Sequence, residues 1–382
     1  MSRRSLPLYP RGFNFQGRAL QKRFVSTAYE SQISKARVSC LDSLHKYDKS
    51  SYVLSAYIPK PARDYFIAIR AFNIEISKIS NSQESQVNRQ LKSTIGVSSN
   101  DLKFKFWEDL IFKVFQNPYS DQVIGEPVAL LIRDGVRNDF NLTPDGFNQI
   151  LSTRKDFLSR SYFQNVDQLS SYGEGLHSQL NYMAQNLMLS NQLSPSTINL
   201  VEESTELQDL ITEISAHLGQ ATGIASLVIG TKYYAQHKNQ INLPIDIMTK
   251  YDLSQELLLR LFQGHEAGNP NEIESKLKDV IYETCIGAND HLISAREKFK
   301  KVKKITSDII SSTDDDLILM KSKSWKRQIP DCLFVPFMTS IPLDGYLSQL
   351  EHNDFDILSK KIENPYWKIV WRSYWNYQRR IL

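Results

Sequence analysis

The 382-residue chain has only three cysteines and seven histidines, and neither set falls at metal-binding spacings. Cys40, Cys285 and Cys332 lie far apart with no CxxC or CxxH among them, which suggests neither a zinc site nor a disulfide framework. No HxxxH or HExxH pair puts two imidazoles on one helical face. Long apolar runs are missing too: "ASLVIG" and "CLFVPFM" are interrupted well short of the roughly 18 to 20 residues that a spanning helix needs. GxSxG, P-loop and GxGxxG motifs are absent, so hydrolase, nucleoside triphosphatase and dinucleotide-binding readings have no support. The chain reads as a soluble or peripheral protein of a reducing compartment, with no metal and no cofactor implied.

Acidic residues are missing from the first 29 positions, while Arg3, Arg4, Arg11, Arg18, Lys22 and Arg23 all fall there. A stretch rich in Arg and hydroxyl residues, free of acids and dotted with apolar residues has the composition of a mitochondrial transit peptide. Residues 1–25 are read as that peptide, with "RFVS" suited to processing near Ser26. Removing these six charges from the net +4 leaves about −2 for residues 26–382, too little basic excess to argue for nucleic-acid binding.

What is present is helical periodicity. Apolar residues recur at i, i+3, i+4 and i+7, and β-type alternation is scarce. Helices are expected near 29–48, 58–79, 101–116, 121–138, 144–160, 165–190, 205–232, 254–264 and 271–300. Pro61 stands near the first turn of the second, where a missing N–H does no harm. The polar stretch 81–100 and the charge-alternating 300–328, with "KKVKK", "SSTDDD" and "KSKSWKR", read as solvated loops. Asp314, Asp315 and Asp316 read as hydrated carboxylates. No repeat or long linker divides the chain, so the expectation is one all-α domain.

Four blocks carry a resemblance, in the right order and spacing. They are "SSYVLSAYIPKPARDYFIAIRAFN", "LKFKFWEDLIFKVFQNPYSDQVIGEPVALLI", "LSSYGEGLHSQL" and "INLPIDIM". Together they resemble the squalene/phytoene synthase family, which implies a single helical domain of the isoprenoid synthase type around a central cavity. The chemistry of that family needs carboxylates four apart on two facing helices. These hold Mg²⁺, a hard cation that takes oxygen ligands, against a diphosphate leaving group.

Set against the family pattern, the first motif has Asn73 and Ser77 where aspartates are expected, and the second has Thr231 and Ala235. The run from His217 to Pro244 contains no acid at all. The scaffold is thus expected to persist with both metal platforms gone. Tyr52, Arg70 and Tyr172 fall where the family lines its cavity, and Arg70 and Lys78 are candidates to hold an anion without metal. Gly219 and Gly223 lie in a run of small residues that admits either a close helix neighbour or a flat ligand.

"RAFNIEISKI", "HLGQATGI", "NLPIDIM" and the later "FDI" further resemble one branch of the family, the complex I assembly factor 6 group. That resemblance implies a non-catalytic protein peripheral to the matrix side of the mitochondrial inner membrane. It would act there on a membrane-arm subunit (ND1-like) or beside other assembly factors. Two alternatives stay open on sequence: an active prenyl diphosphate condensing transferase, and an isoprenoid or quinone carrier.

The C-terminal "NPYWKIVWRSYWNYQRRIL" interleaves aromatics with cations. On a helix, Trp367, Val370, Trp371 and Tyr374 form one stripe that either docks into the core or lies in a membrane interface, and the two are compatible if Trp375, Arg379 and Arg380 point outward as membrane contacts.

Overall fold

The computed structural model describes residues 27–79, 98–120, 122–160, 162–266, 269–363 and 368–382. The transit-peptide segment 1–25, most of the polar stretch 81–100, and Trp367 lie outside the described residues. Among the described residues the architecture is helical throughout, its only β feature being a single parallel bridge between Phe163 and Pro244.

The first layer is α1 (Thr27–Tyr47), α2 (Lys49–Ser55) and α3 (Lys60–Lys78). Asp48 starts α2 by accepting from Ser51 N at 2.9 Å, and Pro59 precedes α3 with Pro61 in its first turn. The apolar spacing of α3 puts Tyr65, Phe66, Ile69, Phe72 and Ile76 in the core. Next come α4 (Ser99–Gln116), α5 (Pro127–Arg137) and α6 (Pro144–Ser159). A reciprocal Ser98–Asp101 capping box opens α4. Phe72 joins this layer to the first, edge-on to Trp107 at 5.3 Å and to Phe147 at 5.1 Å.

The expected helix at 165–190 is real but not uniform. It runs as α7 (Val166–Gly173), a π-turn (Glu174–Ser178) and α8 (Gln179–Met188). After α9 (Pro195–Glu202) the chain forms α10 (Thr205–Lys238), opened by Ser204 accepting from Leu207 N and closed by Asn239 at φ 53°. Then α11 (Ile245–Lys250) and α12 (Gln255–Gln263) lead to α13 (Pro270–Ser312), which packs along α10.

The stretch 300–328 departs from the expected loop. The helix α13 continues to Ser312, burying Val302 and Thr306 on the face that carries Phe299. Lysines at 300, 301, 303 and 304 mask this three-and-four spacing in composition, yet they sit on the other faces of a helix whose apolar stripe never stops. Of the three aspartates, Asp314 and Asp316 are exposed, and Asp315 is structural. Asp315 caps α14 (Asp316–Ser322) by accepting from Leu317 N and Ile318 N, and also accepts from Asn199 Nδ2 at 2.7 Å. The chain ends with α15 (Asp331–Phe334), α16 (Ser340–His352), α17 (Lys360–Glu363) and α18 (Ile369–Arg379).

Candidate functional site

The region where this architecture would host chemistry lies between α3, α6, α7 and α10. Its tightest contact is made by glycines. A Cβ on Gly223 would stand 2.3 Å from Gly173 Cα, and one on Gly219 would stand 2.2 Å from Ser178 N. Only hydrogen fits at either place, because real Cβ atoms do not approach backbone that closely. Gly219 and Gly223 therefore line no open cavity; they are where α10 presses on α7 and the π-turn. Polar side chains stitch the same crossing: Ser178 Oγ donates to Ala216 O at 3.0 Å and Asn181 Nδ2 to Ser215 O at 3.1 Å. Glu174, in the π-turn, accepts from Tyr182 Oη at 2.8 Å and Gln220 Nε2 at 3.1 Å.

Beside this crossing lies Arg154 of α6, only 5% exposed. Its guanidinium donates to Tyr172 Oη at 2.7 Å and to Ser77 O, in the last turn of α3, at 3.3 Å; it also sits over the Phe157 ring. Its Nε has no partner. Tyr234 of α10 completes the surround, edge-on to Phe157. No carboxylate among the described residues forms an ion pair with Arg154. The charge is met instead by the Tyr172 and Tyr234 phenols and the negative end of the α3 dipole; burial opposes the charged form, but the two phenols outweigh it and hold the guanidinium charged. Burial holds the Tyr172 phenol above its usual range, so it stays a neutral partner. His177, in the π-turn, is pushed down to about 3 by burial and by the nearby Arg70 and Arg154.

The sequence-predicted positions fall out as follows. Asn73 is half-buried with its Oδ1 unpartnered, and Ser77 is exposed with its hydroxyl turned back on Ile74 O at 2.7 Å. Thr231 is fully buried and bonds back to Leu227 O, while Ala235 packs in the cluster shared with α12 and α13. Tyr172 is interior. Tyr52, by contrast, is 38% exposed against His45 and lines nothing. Arg70 is committed: it donates to Ser51 Oγ at 2.6 Å and stands 3.9 Å from Asp48, so it holds no free anion position. Lys78 is paired with Glu75 at 2.6 Å and covers the Tyr47 ring.

At the C-terminus, Trp371 and Trp375 are both exposed, so the part of the stripe at Trp371 is not docked into the core, and Arg379 lies over the Trp375 ring. Arg380 contradicts its expected outward orientation. It is fully buried, paired with Asp331 and sandwiched over Phe334 and Tyr377. A left-handed backbone at Arg380 (φ 54°) ends α18 and turns its side chain inward.

Sequence reading missed Arg154, Glu126 and a histidine pair, none of which any local spacing announces. Glu126 caps α5, accepting from Ala129 N at 2.7 Å; burial, with help from Glu75, pushes its carboxyl up to about 7. His217 of α10 and His291 of α13 meet Nδ1 to Nδ1 at 3.0 Å. Ser170 Oγ donates to Val166 O at 3.1 Å and so accepts from His291 Nε2, 3.3 Å away. That leaves His291 Nδ1 as the acceptor and His217 Nδ1 as the donor. Among the described residues no three His, Cys, Asp or Glu side chains converge to hold a metal ion.

The family profile described as squalene/phytoene synthase matches residues 44–372, which span both motif helices and the glycine crossing. The chain belongs to the squalene/phytoene synthase family. Within it, the chain is similar to proteins named NADH dehydrogenase (ubiquinone) complex I, assembly factor 6. The Bos taurus protein is 26% identical over 85% of this chain and 76% of its own length. The Homo sapiens protein is 25% identical over 94% and 86%. A Dictyostelium discoideum protein named as a homolog of that factor is 29% identical over 81% and 68%. Among solved structures, a dehydrosqualene synthase in complex with ligand superposes with a TM-score of 0.55 at 12% identity, over 91% of this chain and 96% of that one. A squalene synthase from Alicyclobacillus acidocaldarius gives 0.54 at 10% identity, over 87% and 97%. These likenesses establish the isoprenoid synthase fold.

Proposed function

We propose that the chain is a non-catalytic mitochondrial assembly factor for respiratory complex I, the NADH:ubiquinone oxidoreductase. It acts on a membrane-arm subunit of the ND1 kind, at the matrix side of the inner membrane, as a peripheral protein delivered by the presequence 1–25. The names of its relatives support the complex I part of this reading. No helix of the described residues is long and apolar enough to cross a membrane, which accords with peripheral attachment.

The observation that carries the non-catalytic part is Arg154. A magnesium diphosphate is bound by carboxylates that hold the metal. At the end of α3 there is instead an exposed serine and, beneath it, a buried guanidinium without an anion. A fixed cation in a low-dielectric interior repels a second one. Thr231 and Ala235, buried in packing contacts, offer no compensating ligands on α10.

The test is depletion of the protein from its own cells, followed by native electrophoresis of the respiratory complexes. The expected result is loss of assembled complex I, with the other complexes kept and the membrane-arm intermediate depleted. Normal complex I in cells lacking the protein would overturn the proposal.

A further inference from the structure

Most surface helices hide their apolar stripe and expose their charges; α18 does the reverse. At 100° per residue, Val370, Trp371, Tyr374 and Trp375 share one face of α18. They are 52%, 65%, 46% and 52% exposed, and Ile381 just beyond is 46% exposed. The opposite face carries the polar anchors. Arg372 and Arg296 both pair with Asp344, Arg380 pairs with Asp331, and Tyr377 Oη donates to Asp331 at 2.7 Å. Ser373 is buried. The inward ion pairs fix the helix and hold the aromatic face outward.

We infer that this face docks onto an anionic lipid bilayer. The inference rests on the peripheral location proposed above and names the surface that makes it. Three features select a bilayer over another occupant. Trp and Tyr are the side chains that settle at headgroup depth, with an apolar body below and a polar tip above. Exposed Lys368 and Arg379 border the aromatic face, while residues 364–382 contain no Asp or Glu, so the segment is one-signed and complementary to anionic headgroups. Asp331 and Asp344, the acids that pair with the arginines of this segment, are already neutralised by them.

The chain reports on this directly. Of its five tryptophans, three lie at 367, 371 and 375, and none lies in the basic presequence. Full-length protein is mixed with phosphatidylcholine vesicles with and without 20% cardiolipin, following flotation and tryptophan emission together. The expected result is cardiolipin-dependent flotation with a blue shift, and a loss of about tenfold or more in vesicle affinity in the Trp371→Ala/Trp375→Ala protein. Because the replaced rings are exposed, circular dichroism of the variant should match the wild type and so separate lost docking from lost folding. Vesicle binding that the double variant leaves unchanged would overturn the inference. Flotation without any emission change would overturn it too, since the presequence alone would then be the anchor. A double variant that blocks complex I assembly, when vesicles leave wild-type emission unmoved, would assign the face to a protein partner instead. The vesicle result does not depend on the complex I outcome, so the two proposals fail separately.

Discussion

The helices α10 and α18 use side-chain size in opposite ways. In α10, glycines let two backbones meet at the distance of a hydrogen atom, and Thr231 and Ala235 are fully buried in packing contacts. In α18, large rings stand in solvent and the salt bridges are inside. One helix has been closed to ligands from solvent, whereas the other has been opened to a surface. The contrast teaches that the change of role proposed for this synthase-type scaffold would be legible as a change in where the apolar area points.

Substitution should separate the two regions sharply. Gly223→Val forces a branched side chain into Gly173, and the expected cost is at least about 3 kcal/mol of unfolding free energy, measured by denaturant titration. A well-folded, equally stable variant would mean that the crossing is looser than described. Tyr172→Phe removes a hydrogen bond from a buried guanidinium and should cost about 2 kcal/mol in the same assay. An unchanged midpoint there would show that Tyr234 alone satisfies Arg154.

Acid should act through the interior as well. His217 is pushed from 6.5 down to about 4 by burial first, then by His291 and Lys298. A histidine with a lowered folded-state pKa resists protonation when folded but not when unfolded. Its stabilising contribution is therefore complete above pH 6.5 and declines as pH falls from there to about 4. Melting temperature measured across that interval should drop, and His217→Asn should flatten part of the decline. A variant that loses as much stability over the interval as the wild type would place the acid sensitivity elsewhere.

The smallest effect is expected at α18. Trp371→Ala should change stability by no more than about 0.5 kcal/mol, because a 65%-exposed ring has little burial to lose. A loss of several kcal/mol would show that the ring is packed in solution, and the contrast with α10 would collapse.

Fold class was readable because helical periodicity runs through most of the described segments. Apolar spacing announced helices over 58–79 and 205–232, close to the observed α3 and α10, while the motif positions on them came from the family resemblance. The 300–328 stretch misled because charged residues of both signs outnumber apolar residues there, although the stripe through Val302 and Thr306 keeps its period. The small-residue run around Gly219 signalled close approach, but only the π-turn at Glu174–Ser178 decides that a helix, not a ligand, makes it. Arg154 was invisible because it lies 77 residues from Ser77 and its partners are phenols and a carbonyl, which no spacing rule connects. Arg380 was misplaced because a left-handed terminal residue breaks the helical angle on which the outward expectation rested.

The central claim is that the scaffold has kept the synthase fold and lost the means to bind a magnesium diphosphate. The most direct measurement is calorimetric titration of the folded full-length protein with farnesyl diphosphate, with and without Mg²⁺, alongside product analysis with labelled substrate. The account predicts no magnesium-dependent binding and no condensed product. Binding that requires Mg²⁺, or any condensed isoprenoid, would contradict it and restore the enzyme reading.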